Sequence, residues 1–131
     1  MTGAVHEYSI ARSLVERVEA EAAARHATAV RSVQIRIGEL AGVDAELLAT
    51  AYRTIADGGV CARSALAIAS VAARCTCRAC GRAIDAGGPL RCRACGAPAV
   101  LEQGDEILLE RIEMDVEDEG GPATHVRDAR I

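Results

Sequence analysis

The sequence predicts an α+β fold in two layers. A small three-stranded sheet carries two helices on one face, and a separate module hangs on two Cys-x2-Cys knuckles. Three observations lead there. Apolar residues recur at helical spacing in two stretches and alternate at strand spacing in three others. Four cysteines, Cys77-x2-Cys80 and Cys92-x2-Cys95, stand between the second and third of those strands. The order helix, strand, helix, strand, knuckles, strand suits a sheet covered on one side.

From Ser9 to about Ala24, Ile10, Leu14, Val18 and Ala22 recur every four residues, and Ala11 and Val15 widen the stripe. Ser9 is the expected N-cap. Val33, Ile35 and Ile37 then alternate with Ser32, Gln34 and Arg36, the signature of a strand buried on one face. Gly38 and Gly42 bracket a turn, and Asp44 caps a second helix whose Leu47, Leu48, Ala51, Tyr52 and Ile55 share a face. Asp57-Gly58-Gly59 ends it. A second strand, about Ala65 to Val71, runs parallel to the first through this helical crossover. After the knuckles, Leu108, Ile112, Met114 and Val116 mark a third strand that returns to the same sheet. The expected division is a body of 1–72 with 105–118, a cysteine module of 73–104, and a tail of 119–131. The tail is polar and contains Gly and Pro, so disorder is expected there.

Half of the 131 residues are hydrophobic, yet Phe and Trp are absent and only Tyr8 and Tyr52 are aromatic. Such a core is built from small aliphatic side chains, and a metal cross-link would reinforce it. No signal peptide precedes the six cysteines, so paired Cys-x2-Cys spacing reads as metal binding in a reducing compartment. No apolar run approaches the roughly 20 residues needed to span a bilayer. A cytoplasmic protein without membrane contact is expected.

Two Cys-x2-Cys knuckles supply a closed tetrahedral set of four thiolates, the arrangement preferred by structural zinc. Gly81 and Gly96 each follow the second cysteine, where the turn favours positive φ. The module is thus zinc-ribbon-like, and Zn(II) is expected on Cys77, Cys80, Cys92 and Cys95. Cys61 reads as a small buried hydrophobe, and Cys75 as a spare thiol beside the zinc. Charge is segregated: residues 74–96 hold five arginines against Asp85, and residues 102–119 hold nine carboxylates against Arg111. The arginines read as a solvated shell that compensates zinc-thiolate charge. Nucleic-acid binding is not expected, because the module lacks aromatic residues for stacking on bases. All fifteen basic residues are arginine, which reads as codon bias.

No nucleophile elbow, Walker loop, dinucleotide fingerprint or HExxH occurs, so no enzymatic activity is expected. Of the three histidines, His26 reads as a helix terminus and His125 as a solvated tail residue. His6 precedes Glu7 just ahead of the first helix, and imidazole, carboxylate and backbone nitrogen suit Ni(II) or Cu(II).

The segment Val5-His6-Glu7-Tyr8-Ser9-Ile10-Ala11 resembles the amino-terminal signature of the HypA/HybF family of nickel metallochaperones for hydrogenase maturation. Val33-Gln34-Ile35-Arg36-Ile37-Gly38-Glu39-Leu40 resembles its strand and turn, the four cysteines its zinc site, and Gly104-Asp105-Glu106 the opening of its last strand. The resemblance runs over about residues 5–117. It implies Ni(II), transported, at His6 with Glu7 and Asp44 as auxiliary positions, and structural Zn(II) in the knuckles. It also implies a HypB-like GTPase and the large subunit of a [NiFe] hydrogenase as partners, and leaves a homodimer open.

One departure bears on nickel. In the family the terminal amine shares the metal with the histidine, but here Met1-Thr2-Gly3-Ala4-Val5 intervene. Three readings follow: Val5 is a GTG start, the extension is real and binding is weaker, or processing exposes a new amine. Intact mass from the native host distinguishes them. Two rivals remain at this level. One is a zinc-ribbon module for nucleic acid or protein interaction, whose affinity would fall with salt. The other is a redox enzyme using Cys61 or Cys75, which requires a depressed thiol pKa.

Overall fold

The first helix, α1 (Gly3–Ala24), starts earlier than the Ser9 cap expected from sequence. The computed structural model describes residues 3–85, 88–116 and 121–130. Met1 and Thr2, on which the start-codon reading bears, lie outside the described residues. The earlier start has a plain cause. Glu7 lies one helical step before Ala11 on the stripe of Ala11, Leu14, Val18 and Ala22, and all five are buried. A carboxylate on an apolar stripe hides the stripe's continuation. His6 therefore sits within α1 and not ahead of it. The helix ends at Ala24, and in the turn after it His26 adopts left-handed φ of 56° while its N–H donates to Ala23 O at 3.2 Å.

β1 (Ala27–Gly38) runs through the centre of the main sheet and buries Val30, Val33, Ile35 and Ile37. α2 (Ala45–Ala56) is capped by Asp44, whose Oδ1 accepts from Leu47 N–H at 3.1 Å. Its buried line is Leu48, Tyr52 and Ala56, whereas Leu47 is 42% exposed and leaves the face expected from sequence. α2 then crosses over to β2 (Ala65–Val71), which pairs parallel with β1 from Ser32↔Ala65 to Gly38↔Val71. Tyr52 anchors this crossover. Its hydroxyl lies 2.5 Å from Ser64 Oγ, which itself donates to Cys61 O at 2.6 Å, so the tyrosine is the donor of the pair. Tyr52→Phe should cost about 1–2 kcal/mol by urea denaturation, since it strips a buried hydroxyl of its donor without opening a cavity.

The chain then leaves for a second sheet, ordered β4-β3-β5, formed by β3 (Arg74–Cys77), β4 (Ala83–Ile84) and β5 (Ala99–Gln103). It returns as β6 (Ile107–Val116), antiparallel to β1. The core residues of β6 are Leu109, Ile112, Met114 and Val116. Sequence alternation points to Leu108, but the ladder shifts register between Gln34 and Ile35, and such a bulge turns the strand by one residue. Leu109 thereby takes the inward position.

The main sheet has four strands, ordered β2-β1-β6-β7, where the sequence suggests three. β7 (Gly121–Arg130) pairs antiparallel with β6 from Val116↔Gly121 to Leu108↔Arg130. The expected disordered tail is corrected over these residues, His125 among them. Composition misleads here because an edge strand gains its hydrogen bonds from a neighbour's backbone, which any sequence can supply. Residues 117–120, also assigned in part to that tail, lie outside the described residues.

Both crossings between the sheets are tied to one turn. Gly38 N–H donates to Glu106 O at 2.9 Å, Glu39 N–H to Val71 O at 2.8 Å, and Leu40 N–H to Gly104 O at 2.7 Å. The Glu39 carboxylate accepts from Ala73 N–H at 2.6 Å, and Gln103 Nε2 donates to Ala72 O at 3.1 Å. The turn after β1 thus ties down both segments that connect the two sheets, through backbone and side-chain hydrogen bonds.

Candidate metal centre

The two knuckles repeat one backbone pattern. Cys77 N–H donates to Arg82 O and Gly81 N–H to Cys77 O, at 2.8 and 2.9 Å. Cys92 N–H donates to Ala97 O and Gly96 N–H to Cys92 O, both at 2.8 Å. Gly81 and Gly96 take φ of 75° and 76°, as the turn expected from sequence requires. Each turn aims its two sulfurs at the other knuckle.

The four Sγ atoms lie within 4.8 Å of one another. Cys77 and Cys95 are 3.4 Å apart, and Cys80 and Cys92 are 3.6 Å apart. A tetrahedral ion with metal–sulfur bonds of ~2.3 Å needs sulfurs about 3.8 Å apart, so the set fits a four-coordinate metal after a few tenths of an ångström of expansion. All four ligand positions come from protein sulfur, which leaves none for a substrate. The arrangement suits a metal that stays.

The electrostatics agree. Backbone N–H groups of Cys80 and then Ala79 point at Cys77 Sγ, at 3.4 and 3.3 Å, and pull this thiol down to about 6. Cys92 is lowered in the same way by the N–H groups of Cys95 and Ala94. Cys95 receives the Ala97 N–H, yet its neighbours Cys77 and Cys92 outweigh that and push it up to about 11. Two sulfurs thus favour the anion and two resist it, because four thiolates repel at this distance. A divalent cation removes the conflict.

The amino-terminal candidates are arranged differently. His6 is exposed on α1, while Glu7 is 1% exposed. Glu7 Oε2 accepts from the N–H of Asp44 at 2.6 Å, joining α1 to the start of α2, where the helix dipole favours negative charge. Glu7 Oε1 is buried and has no hydrogen-bond partner. The structure therefore brings the Glu7 carboxylate to the Asp44 backbone, while the Asp44 side chain caps α2. Among the described residues, no second cluster of three or more metal-ligating side chains forms around His6. The Glu7–Asp44 contact escaped the sequence reading because it depends on how α1 packs on α2. Only the place of Glu7 on the apolar stripe could have signalled it.

Both cysteines outside the knuckles are buried. Cys61 is 1% exposed, and burial, with some help from Glu19, pushes its thiol up to about 11. Cys75 is buried on β3, opposite Ile84 and Leu101, and is not one of the four clustered sulfurs.

The fold and the site together define a metal-binding protein that joins a helix-covered sheet to a four-cysteine module. A family model described as hydrogenase/urease nickel incorporation, metallochaperone, hypA matches residues 5–114. The Hydrogenase maturation factor HypA of Wolinella succinogenes is 38% identical over 122 residues, covering 88% of this chain and 100% of that relative. Its counterpart from Nitrosospira multiformis is 35% identical over 112 residues, covering 84% and 97%. The solution structure of the Ni metallochaperone HypA from Helicobacter pylori superposes with a TM-score of 0.65 at 26% identity, covering 84% of this chain and 97% of that one. A second solution structure of a HypA protein gives 0.68 at 27% identity, covering 84% and 96%. The chain belongs to the HypA family.

Proposed function

We propose that this protein is a nickel metallochaperone: it takes up Ni(II) near its amino terminus and delivers it for assembly of the [NiFe] hydrogenase active site. The match of the family model over residues 5–114, which includes His6-Glu7 and all four clustered cysteines, carries this reading. The body of 1–72 with 105–118 holds the nickel, and the module of 73–104 holds a structural zinc on Cys77, Cys80, Cys92 and Cys95. His6 supplies imidazole and backbone nitrogen. Glu7 and Asp44 are auxiliary positions, held near each other by the Asp44 backbone N–H, which donates to the Glu7 carboxylate at 2.6 Å. A nitrogen-rich site at the exposed His6 favours nickel by geometry and permits ligand exchange during transfer, while a closed thiolate site does neither.

On this reading the protein has no catalytic activity of its own and acts in the cytoplasm. No helix among the described residues is long and apolar enough to cross a membrane. Its partners are a HypB-like GTPase and the large subunit of a [NiFe] hydrogenase, in keeping with relatives named hydrogenase maturation factors.

The test is a nickel titration followed by visible absorbance, on protein whose amino terminus has been verified by mass. A yellow, low-spin planar band is expected. His6→Ala should weaken nickel binding about a hundredfold or more, since even groups behind a metal ligand are worth 10–100-fold. Its zinc content and urea midpoint should not change. Equal loss of both metals in that variant would overturn the two-site reading.

A further inference from the structure

The two outer strands of the main sheet are built on opposite rules. β7 carries Pro122, His125, Arg127, Asp128 and Arg130, and its ladder with β6 shifts register between Leu109 and Arg111. Proline, charge and irregular pairing are the devices that keep an edge from recruiting another strand. β2, the outer strand on the other side, has none of them. Its seven residues, Ala65-Leu66-Ala67-Ile68-Ala69-Ser70-Val71, include no charge, proline or glycine. Its ladder with β1 runs from Ser32↔Ala65 to Gly38↔Val71 without a shift. Among the described residues, no strand pairs with its other edge.

The side chains along this edge follow a simple pattern. Leu66 and Ile68 are half-buried and pack against the hydrophobic core, whereas Ala65, Ala67 and Ala69 are exposed. A strand edge offers backbone hydrogen bonds to any extended chain, and the side chains decide which one fits. The pattern here is symmetric about Ala67, with Ala65 answering to Ala69 and Leu66 to Ile68. On a two-fold axis through Ala67, an antiparallel copy would set Leu66 opposite the partner's Ile68 and extend the apolar layer of the core. The exposed alanines would meet on the opposite face. Arg63, the charge just before the strand, would fall opposite Val71 of the partner subunit, so no like charges oppose each other.

We propose that β2 is the pairing edge for a second copy of this chain, which joins two four-stranded sheets into one through an antiparallel β2–β2 contact. A two-fold contact needs a patch complementary to itself, and an uncharged strand symmetric about Ala67 is such a patch. A foreign strand would gain the same backbone hydrogen bonds, but the match of Leu66 with Ile68 selects this chain's own sequence. One strand pair is a small interface, so the dimer is concentration-dependent. The proposal rests on the sheet edge alone and is independent of the nickel reading.

The test is sedimentation velocity of the full metal-loaded chain over a concentration series from about 1 μM to about 1 mM. A monomer–dimer equilibrium is expected, with amide hydrogen exchange over residues 65–69 slowing as the dimer forms. Ala67→Lys sets two ammonium groups against each other at the axis and should weaken dimerisation at least about fivefold; Ala67→Glu should do the same with two carboxylates. An equimolar mixture of the two variants should recover the dimer. That recovery separates strand pairing from a folding defect, and since Ala67 is exposed, each variant alone should keep the native urea midpoint. A chain that stays monomeric throughout leaves the edge to some other protein and overturns the proposal. So does dimerisation unchanged in both variants, or a mixture that fails to recover it. Association lost only when a chelator strips the metal would place the contact on the cysteine module and overturn it as well.

Discussion

Replacing Cys77 with serine is expected to empty the four-sulfur site and melt β3, β4 and β5. The reason lies in what the module buries. Among its described residues only Cys75, Cys77 and Cys92 are buried, and no side chain of 74–103 joins the hydrophobic core. With no aliphatic core of its own, the module depends on the metal for its folding energy. Structural zinc supplies about 10–16 kcal/mol in small peptides at neutral pH. Cys77 is the worst position to lose, because the N–H groups of Ala79 and Cys80 are aimed at its sulfur. Serine is a poor thiolate substitute and would leave the other three sulfurs without tetrahedral closure. Metal analysis should show loss of zinc. Hydrogen exchange should rise at Gly81 and Gly96, while the Tyr52 near-ultraviolet signal from the body persists. Retention of zinc with native exchange at both glycines would refute a metal-dependent module.

Gly38→Ala is expected to be the most damaging single-methyl change in the body. A Cβ at this position would lie 2.1 Å from both the carbonyl carbon and the oxygen of Gly104, and 2.7 Å from Asp105 N. These are backbone atoms, already fixed by the bond from Leu40 N–H to Gly104 O, so no side chain can swing away. The strands must part instead, and the hydrogen bonds that tie both crossings to this turn go with them. A cost of about 3 kcal/mol, at the upper end of overpacking, is expected in urea denaturation. Gly104→Ala should behave similarly. Its φ of +116° disfavours any L side chain, and a Cβ would meet Ala73 Cα at 2.5 Å. Both variants should keep the metal bound by the four cysteines, since the knuckles lie beyond the junction. That retention separates a failed junction from a failed metal site. Zinc loss equal to that of Cys77→Ser would show that the junction and the knuckles fold as one unit.

Much of the fold was legible because it follows from local rules. The strand of Val33, Ile35 and Ile37, the Asp44 cap and the helical crossover to Ala65–Val71 all stand in the structure as read. Each rests on periodicity or on a side chain that bonds a few residues away. The errors share a different cause. Leu109 replaces Leu108 in the core because a bulge, set by pairing with β1, shifts the strand. β7 forms because β6 offers it an unpaired edge. Helix α1 extends back through His6 and Glu7 because a buried carboxylate finds the Asp44 N–H on another helix. For the bulge and for Glu7 the deciding partner is remote in sequence, whereas β7 folds back on the strand just before it and was hidden by its polar composition.

The sequence by itself determined the metal chemistry of the module. Four thiols at Cys-x2-Cys spacing, each pair followed by a glycine, specify a closed tetrahedral site through turns of only a few residues. Gly38 and Gly104 were visible as letters, but only the tertiary structure gave their reason: a Cβ at Gly38 would meet the backbone of Gly104, and a Cβ at Gly104 would meet Ala73. Tertiary structure alone also decided that Glu7 is buried with its carboxylate on the Asp44 N–H, and that Leu90 and Val100 stay exposed. The physical reason is range. Knuckles and caps are closed by bonds within a turn, whereas burial and junctions depend on which distant surfaces meet.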